Sequence, residues 1–222
     1  MADQASDLRI WDFPTRATHW AIAALFAFSW WSAKTDHLPW HRLSGDVILG
    51  LLIFRLAWGI YGSQTARFRS FVRSPAAILA YVKGVGPKSP GHNPLGALSV
   101  VALIGALSIQ VALGLFSVDE DGLEPGPLSK FIDFDLGRSI AKAHHIAFNV
   151  LLALVVLHLV AIAIYELRRK RLIWPMVTGV ARLNDDVEQP RLAPAWAALA
   201  TLAVAASLAW LVAHGLRLRG PV

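Results

Sequence analysis

Three histidines lie in one long apolar stretch of the sequence, between Lys142 and Glu166. The 23 residues between those two positions carry no full charge, which is about the number that a helix needs to cross a bilayer. On a helix, His144 and His158 are 14 positions apart, which puts them on nearly the same face and about 21 Å apart along the axis. His145 points about 140° away from His158. Because ionisable groups inside a membrane are costly and usually functional, this face could hold two stacked cofactors if other helices supply a second histidine at each depth.

The composition is that of an integral membrane protein. Of the 222 residues, 55% are hydrophobic and only 16% are charged, whereas about 25% charged residues is usual in soluble domains. The net charge of +6 does not indicate nucleic acid binding, because the basic residues flank apolar segments, where they set topology. The absence of cysteine excludes disulfides, thiolate metal sites and iron–sulfur clusters held by this chain.

The pattern of charged and apolar residues predicts an all-α membrane protein with five spans. A polar lead-in covers residues 1–16, and it lacks the pattern of a cleaved signal peptide, so the first span is expected to stay as an anchor. The predicted spans are 17–34, 43–62, 95–117, 140–166 and 192–216. The first four would form a transmembrane four-helix bundle within residues 17–180, and the fifth would be an additional C-terminal helix. For 192–216 a surface-lying or re-entrant segment is the alternative.

Loop charges predict the orientation of the spans. Residues 63–94 hold five Lys or Arg and no acid, with a short surface helix expected from Pro75, and residues 168–171 are all basic. The loop 119–135 is acidic instead. Because basic loops face the cytoplasm, the N-terminus should lie inside and the acidic loop outside. Two arginines near the C-terminus run against this rule.

Alternating spans bring four histidines together as two pairs. His19 opens the first span, and His158 lies near the same, cytoplasmic end of the fourth. His41 begins the second span and His144 begins the fourth, both on the outer side. Neutral imidazoles paired across a bundle are suited to the two axial positions of haem iron. Iron with two histidine ligands has no vacant position, which favours electron transfer over oxygen binding, and centres about 20 Å apart could pass electrons across the membrane.

Short motifs occur in a fixed order along the chain. They are Ile10-Trp11-Asp12-Phe13-Pro14-Thr15-Arg16 with Thr18-His19-Trp20, His41-Arg42-Leu43-Ser44-Gly45, Phe54-Arg55-Leu56-Ala57-Trp58-Gly59 with Ala66-Arg67-Phe68, Gly91-His92-Asn93-Pro94, Gly126-Pro127-Leu128 and Trp174-Pro175-Met176-Val177-Thr178-Gly179. Over about residues 9–180 this set resembles the bacterial cytochrome b561 and nickel–iron hydrogenase cytochrome b-subunit superfamily. The resemblance implies a four-helix bundle with two haem b, quinone as the membrane redox partner, and axial ligands that fall on the four paired histidines.

Further charged and imidazole side chains bear on these centres. Arg55 lies 14 residues after the second-span histidine, so it reaches the depth and face of the inner pair. It is expected beside an inner haem propionate or as a group that tunes the potential, with a snorkelling surface arginine as the alternative. His145 is expected near the outer haem rather than as a ligand. Loop positions at the interface are expected for His37 and His92, and the end of the fifth span for His214.

Together these features predict a dihaem b-type cytochrome of the bacterial inner membrane that carries electrons between the quinone pool and a periplasmic redox protein. The acidic outer loop could dock a basic c-type cytochrome by charge complementarity; a hydrogenase is the other candidate partner, and a homodimer stays open. For quinone the sequence offers two places, the cytoplasmic rim near Arg9, Trp11 and Arg16 or the outer rim.

Three other classes of function stay open from the sequence. A b561-type oxidoreductase would oxidise a small molecule such as superoxide at the outer haem and reduce quinone. A histidine-lined metal or proton transporter would need a continuous polar path through the spans, but Asp46 is the only acid near an apolar span. A structural anchor for another complex gives no reason for the histidine pairs.

Overall fold

The computed structural model describes residues 5–84, 91, 93–119, 124–184 and 188–217. Within these residues the chain forms eight α-helices and two short strands. The helices are α1 (Phe13–Lys34), α2 (Leu38–Tyr61), α3 (Phe68–Phe71), α4 (Pro75–Val82), α5 (Pro94–Phe116), α6 (Phe134–Leu167), α7 (Ile173–Thr178) and α8 (Ala195–Ala213). Strands β1 (Ala5–Arg9) and β2 (Val180–Asn184) pair antiparallel. Five residues named or counted in the predictions lie outside the described residues: Lys88, His92, Glu120, Asp121 and Arg219.

Polar caps fix where three of the long helices begin. Asp12, Asn93 and Asp133 precede α1, α5 and α6, and each side chain accepts a hydrogen bond of 2.8 Å from the backbone N–H three residues on. Such caps satisfy donors that have no partner inside the helix. The cap at Asp133 explains why α6 begins at Phe134, six residues before the predicted start at 140.

Four helices, α1, α2, α5 and α6, form a bundle around an apolar middle layer. Helix α1 packs along α2, α5 packs along α6, and α2 also meets α5. Phe148 of α6 meets Phe26 of α1, with ring centres 6.0 Å apart. The fully buried members of the layer are Ile48, Leu52, Leu107 and Leu151. Packing of this kind is what holds helices together in a membrane, where lipid is as apolar as the side chains.

Helix α8 lies outside the bundle and runs antiparallel to α2. Near the end of α2, the hydroxyls of Tyr61 and Thr201 are 2.7 Å apart, and further back along α2, Gly50 faces Ala209. Small buried residues of α8, including Ala198 and Ala205, let the two helices come close, as is common in membrane helix pairs. Helix α8 therefore follows the length of α2 rather than lying across an end of the bundle.

Helices α2, α5, α6 and α8 are long and apolar enough to cross a membrane. Helix α1 has 22 residues but does not reach the same hydropathy, because Arg16, His19 and Lys34 accompany several Ser and Thr. A helix thus lies at each of the five predicted positions, whereas the span at 17–34 stays a prediction. The short helix expected from Pro75 is α4.

A strand lies within residues 1–16, for which the sequence predicts only a polar lead-in. Strand β1 joins β2, and the N–H groups of Ile10 and Trp11 donate to the Gly179 carbonyl at 2.9 and 3.1 Å. Gly179 has a φ of 86°, which glycine adopts without strain, and its turn leads the chain from α7 into β2. Strand β1 precedes α1 and strand β2 follows α7. Because the two strands are so far apart in the sequence, no local pattern in the lead-in reveals their pairing.

Candidate cofactor site

His41 and His144 face each other across one end of the bundle, the end where α2 begins, which we call the outer end. Their ring centres are 6.1 Å apart and the ring planes are perpendicular, at 90°. An imidazole nitrogen binds a transition metal at about 2 Å, so two imidazoles on opposite sides of one metal atom have ring centres about 6 Å apart. The separation of the two rings therefore matches a pair of axial ligands.

Backbone carbonyls orient both rings. Nδ1 of His41 lies 2.9 Å from the carbonyl oxygen of Ser29, and Nδ1 of His144 lies 3.0 Å from that of Gln110. Since a carbonyl only accepts, each ring carries its proton on Nδ1 and has an unprotonated Nε2, the form of imidazole that binds a metal. The amide nitrogen of Gln110, which only donates, lies 3.0 Å from Nε2 of His144 and agrees with this tautomer. Histidines that bind metals usually donate their other N–H in this way.

Gly114 of α5 makes room for the ring of His144. A Cβ at this position would lie 3.1 Å from Cε1 and 3.4 Å from Nδ1 of the imidazole, which is closer than ordinary van der Waals contact. A larger side chain would push the ring away from the Gln110 carbonyl. Gly114 therefore helps to set the position of the ring.

A cavity of about 610 Å³ contains this pair, a volume within the range of about 300–1,000 Å³ that is usual for small-molecule and cofactor sites. His41, His144 and His145 all line it. Its walls are mostly apolar and include Phe26, Ile48, Leu107, Phe148 and Leu151. Two imidazoles with unprotonated Nε2 atoms inside apolar walls fit a flat, largely apolar group bound through a metal, such as haem.

His19 and His158 both lie at the other end of the bundle, the inner end, where α1 begins. His158 follows His144 by 14 residues in uninterrupted α6, about 21 Å along the axis. His19 lies close enough to His158 and Arg55 to interact with them electrostatically. Ser99 Oγ lies 3.3 Å from Nδ1 of His158, whereas the buried Nδ1 of His19 has no hydrogen-bond partner in the described part of the chain. A buried polar atom without a partner is costly, which fits a site built around a further group.

A buried polar network links Arg55 to the start of α1. Arg55 is 8% exposed; it donates to the Ala66 carbonyl at 3.3 Å and lies over the Phe68 ring. Asp12 accepts the indole N–H of Trp58 at 2.8 Å and is a negative charge close to Arg55. Arg55 is therefore a buried group and not a snorkelling surface arginine. Asp12 is absent from the sequence-predicted site residues, although its place directly before a helix is the signal of a cap.

The apolar middle layer separates the two histidine pairs. Leu52 and Leu151 at its centre are 4% and 2% exposed. A metal or proton transporter needs a run of polar groups through the membrane, and this layer interrupts such a run between the outer and inner pairs. The arrangement favours two separate centres over a continuous path.

The other described histidines, His37, His145 and His214, lie at helix ends or at the surface. His145 lines the outer cavity, but its side chain is exposed. His37 precedes α2, with Nδ1 3.0 Å from the hydroxyl of Thr35, and His214 follows α8, with its ring 4.2 Å from that of Trp210. The sequence predicts a loop position for His37, which lies directly before α2, and the end of the fifth span for His214, which follows α8.

Charged side chains surround the outer mouth of the cavity. They are Lys34, Asp36, Arg42, Asp46, Asp119 and Glu124. Arg42 and Glu124 form a salt bridge of 2.6 Å, so part of the acidic charge is already neutralised within the protein. Residues 120–123 of the predicted acidic loop lie outside the described residues. Among the described residues that line the mouth, acids still outnumber bases.

A family model described as prokaryotic cytochrome b561 matches residues 10–179. The chain belongs to the prokaryotic cytochrome b561 family. This b561-family protein is therefore a multi-pass bacterial membrane protein, a b-type cytochrome that binds haem b and takes part in electron transfer. Comparisons with curated proteins and with solved structures gave no match.

The matched region contains both histidine pairs and Arg55, and it ends with α7. Helix α8 lies beyond it. The family assignment thus covers the four-helix bundle of this b561-family protein, while the packing of α8 on α2 is a feature of the chain outside that region.

Proposed function

We propose that this b561-family protein is a dihaem cytochrome that carries electrons across the membrane between the quinone pool and a periplasmic redox protein. The observation that carries the proposal is the pairing of histidines at two depths. One pair has ring centres 6.1 Å apart, and the other lies about 21 Å further along α6. Haem bound at such positions supplies reversible one-electron chemistry.

In this proposal His41 and His144 are the axial ligands at the outer end, and His19 and His158 those at the inner end. The carbonyls of Ser29 and Gln110 hold the outer rings with Nε2 unprotonated. With two histidine nitrogens holding each iron, neither centre would offer a place for oxygen. Electron transfer is the chemistry that remains.

Arg55 and Asp12 are expected to set the potential of the inner centre in opposite directions. Arg55→Met should lower the midpoint potential of one haem, because a nearby positive charge favours the more electron-rich state. Asp12→Asn should raise it, since asparagine keeps a helix cap while the negative charge is removed. A potentiometric titration followed by optical spectra measures both shifts.

Trp58→Phe is the matched control for this pair, because it removes the hydrogen bond to Asp12 without changing any charge. It should leave the potentials close to those of the unaltered protein. Shifts of the same sign for Arg55→Met and Asp12→Asn would show that packing, and not charge, connects these residues to the haem.

The charges at the two ends support an N-terminus on the cytoplasmic side. The inner end carries the basic segment that begins at Arg67 and the run 168–171, whereas the described outer end mixes acids with bases, as with Asp133 and Asp135 beside Lys130 and Arg138. Basic segments are retained in the cytoplasm. The antiparallel course of α8 along α2 then puts the end of α8 on the periplasmic side.

A basic protein is the partner that the outer surface suits best. Asp133 and Asp135 are exposed, and the mouth of the cavity has more acids than bases. An acidic patch of this kind attracts a basic c-type cytochrome or a basic face of a hydrogenase.

Reconstitution into liposomes tests the proposed function. With quinol as donor, the protein should reduce an added basic c-type cytochrome, and the double variant Asp133→Asn with Asp135→Asn should slow this step and weaken its dependence on salt. Asn at 133 keeps the helix cap, so the fold is preserved. Failure of quinol to reduce the haems would contradict the quinone assignment, and an unchanged rate in the double variant would contradict the docking surface.

A further inference from the structure

Helix α6 ends at the inner side of the bundle with an arginine in an unusual backbone conformation. Arg169 has a φ of 58°, in the left-handed region. Its N–H donates to the Glu166 carbonyl at 2.8 Å, and the N–H of Lys170 donates to the Tyr165 carbonyl at 2.9 Å, a pattern that commonly has glycine at the left-handed position. Arginine carries a Cβ and adopts this conformation with strain. Such strain is typical of residues kept for a function.

The cations at this helix end are exposed and keep their charge unpaired within the described residues. All members of the run 168–171 are exposed, and none forms a salt bridge with a described carboxylate. Glu166 is the acid nearest to them in the sequence. Its Oε1 accepts from the N–H groups of Leu172 and Ile173 at 2.6 and 2.8 Å, which caps the start of α7. The run therefore presents concentrated positive charge at the inner end of an apolar helix.

Helix α4 and the start of α5 meet this end of α6 and form what we call the α4–α6 corner. Tyr165 of α6 is hydrogen-bonded to Tyr81 of α4, and its hydroxyl accepts from the Asn93 amide at 3.2 Å. Nζ of Lys170 lies 5.6 Å from the centre of the Tyr165 ring, so the ring helps to hold the ammonium group at the corner. Lys83, which ends α4, adds a further exposed cation. The corner thus combines cations with neutral hydrogen-bonding groups.

Apolar side chains next to these cations are exposed as well. Leu167, directly before the basic run, is 84% exposed, and Ile164, one turn earlier, is 45% exposed. Leu79 of α4 and Trp174 of α7 are 55% and 62% exposed. Tryptophan and basic residues are enriched together where headgroups meet acyl chains. A ligand that suits this corner therefore offers negative charge and apolar surface in one molecule.

We propose that the α4–α6 corner binds an anionic phospholipid of the leaflet at the inner end. The headgroup phosphate accepts charge-assisted hydrogen bonds from Arg169 and Lys170, and the acyl chains lie along Leu167 and Ile164. Basic segments next to a membrane helix attract anionic lipids in this way. A soluble anion would leave the apolar side chains uncovered. The site is separate from both histidine pairs and does not depend on the number of haems or on the redox partner.

Native mass spectrometry of the haem-loaded protein, titrated in neutral detergent with phosphatidylglycerol or phosphatidylcholine, tests the site. The first phosphatidylglycerol should bind about 25-fold more tightly than phosphatidylcholine, or about fivefold for each of two cations. Lys170→Gln should lower its affinity about fivefold. Lys142→Gln, the matched control, removes the same charge from an exposed position at the outer end of α6 and should leave the affinity unchanged. Equal affinity for the two lipids, or equal losses in both variants, would overturn the proposal.

Arg169→Gly separates lipid binding from a role in the helix end. Glycine adopts the left-handed conformation without strain, so in phosphatidylcholine nanodiscs this variant should unfold at the same temperature as the unaltered protein or higher, while its affinity for phosphatidylglycerol falls about fivefold. Arg169→Lys keeps the charge and should retain most of the affinity. A glycine variant that binds phosphatidylglycerol as well as the unaltered protein would overturn the proposal. Displacement of the lipid by an equal concentration of inorganic phosphate would overturn it too, because it would identify a site for soluble anions.

Discussion

The His144→Leu variant is expected to bind one haem per chain, and the matched variant His145→Leu is expected to bind two. His144 is held by the Gln110 carbonyl with its ring 6.1 Å from that of His41, whereas the adjacent His145 is exposed and has no such partner. Leucine fills the space of an imidazole but offers no ligand. A pyridine haemochrome assay on both purified variants measures the difference.

Because the two substitutions are identical in chemistry and adjacent in sequence, they separate ligation from a general effect on the helix. Loss of haem from His145→Leu with retention in His144→Leu would reverse the assignment. Equal loss from both would show that the outer end of α6 fails to assemble, and His41→Leu would then decide, since it removes the opposite ligand from another helix.

The His158→Leu variant is expected to lose the inner haem, and the His19→Leu variant should lose the same haem. The two residues are proposed to bind one iron atom, so combining their substitutions should cost no further haem, a non-additivity typical of partners in one interaction. Combining His144→Leu with His158→Leu should remove both haems. Haem content and low-spin optical spectra of these two single variants, the two double variants and the unaltered protein measure this pattern.

Ser99→Ala is the control for the inner end. It removes the hydroxyl 3.3 Å from Nδ1 of His158 but leaves the ligand, so both haems should remain. If His19→Leu and His158→Leu each removed a different haem, the inner pair would not share an iron atom, and the proposed pairing would be wrong.

The pairing of histidines could be predicted because a helix converts spacing in the sequence into depth. Fourteen positions along α6 separate His144 from His158, and the same spacing along α2 separates His41 from Arg55. Arg55 lies within electrostatic range of His19 at the inner end, while its role beside a haem stays a prediction. Helices with no break between these positions are the physical reason why the arithmetic applies.

The groups that orient the ligands could not be predicted in the same way. The partners of His41 and His144 include backbone carbonyls of Ser29 and Gln110, and every residue has a carbonyl, so sequence does not mark the ones that matter. Asp12 meets Trp58 from a different helix. Such contacts depend on how helices pack, and the charge pattern that predicts spans carries no information on them.

The ends of the helices differ from the ends of the predicted membrane spans for a related reason. The uncharged stretch of α6 begins after Lys142, but the helix begins at Phe134 because Asp133 caps it. A search for uncharged residues finds the part of a helix that lipid can cover. The additional turns outside that part are stabilised by local hydrogen bonds, which hydropathy does not detect.

The central claim, two haem centres held by two histidine pairs, is tested most directly by the number of b haems per chain. A pyridine haemochrome assay on the purified, haem-supplied protein, normalised to protein by amino acid analysis, gives that number. The account predicts two haems, both low-spin in the reduced-minus-oxidised spectrum. One haem per chain would contradict it and leave only one of the two pairs as a ligand set.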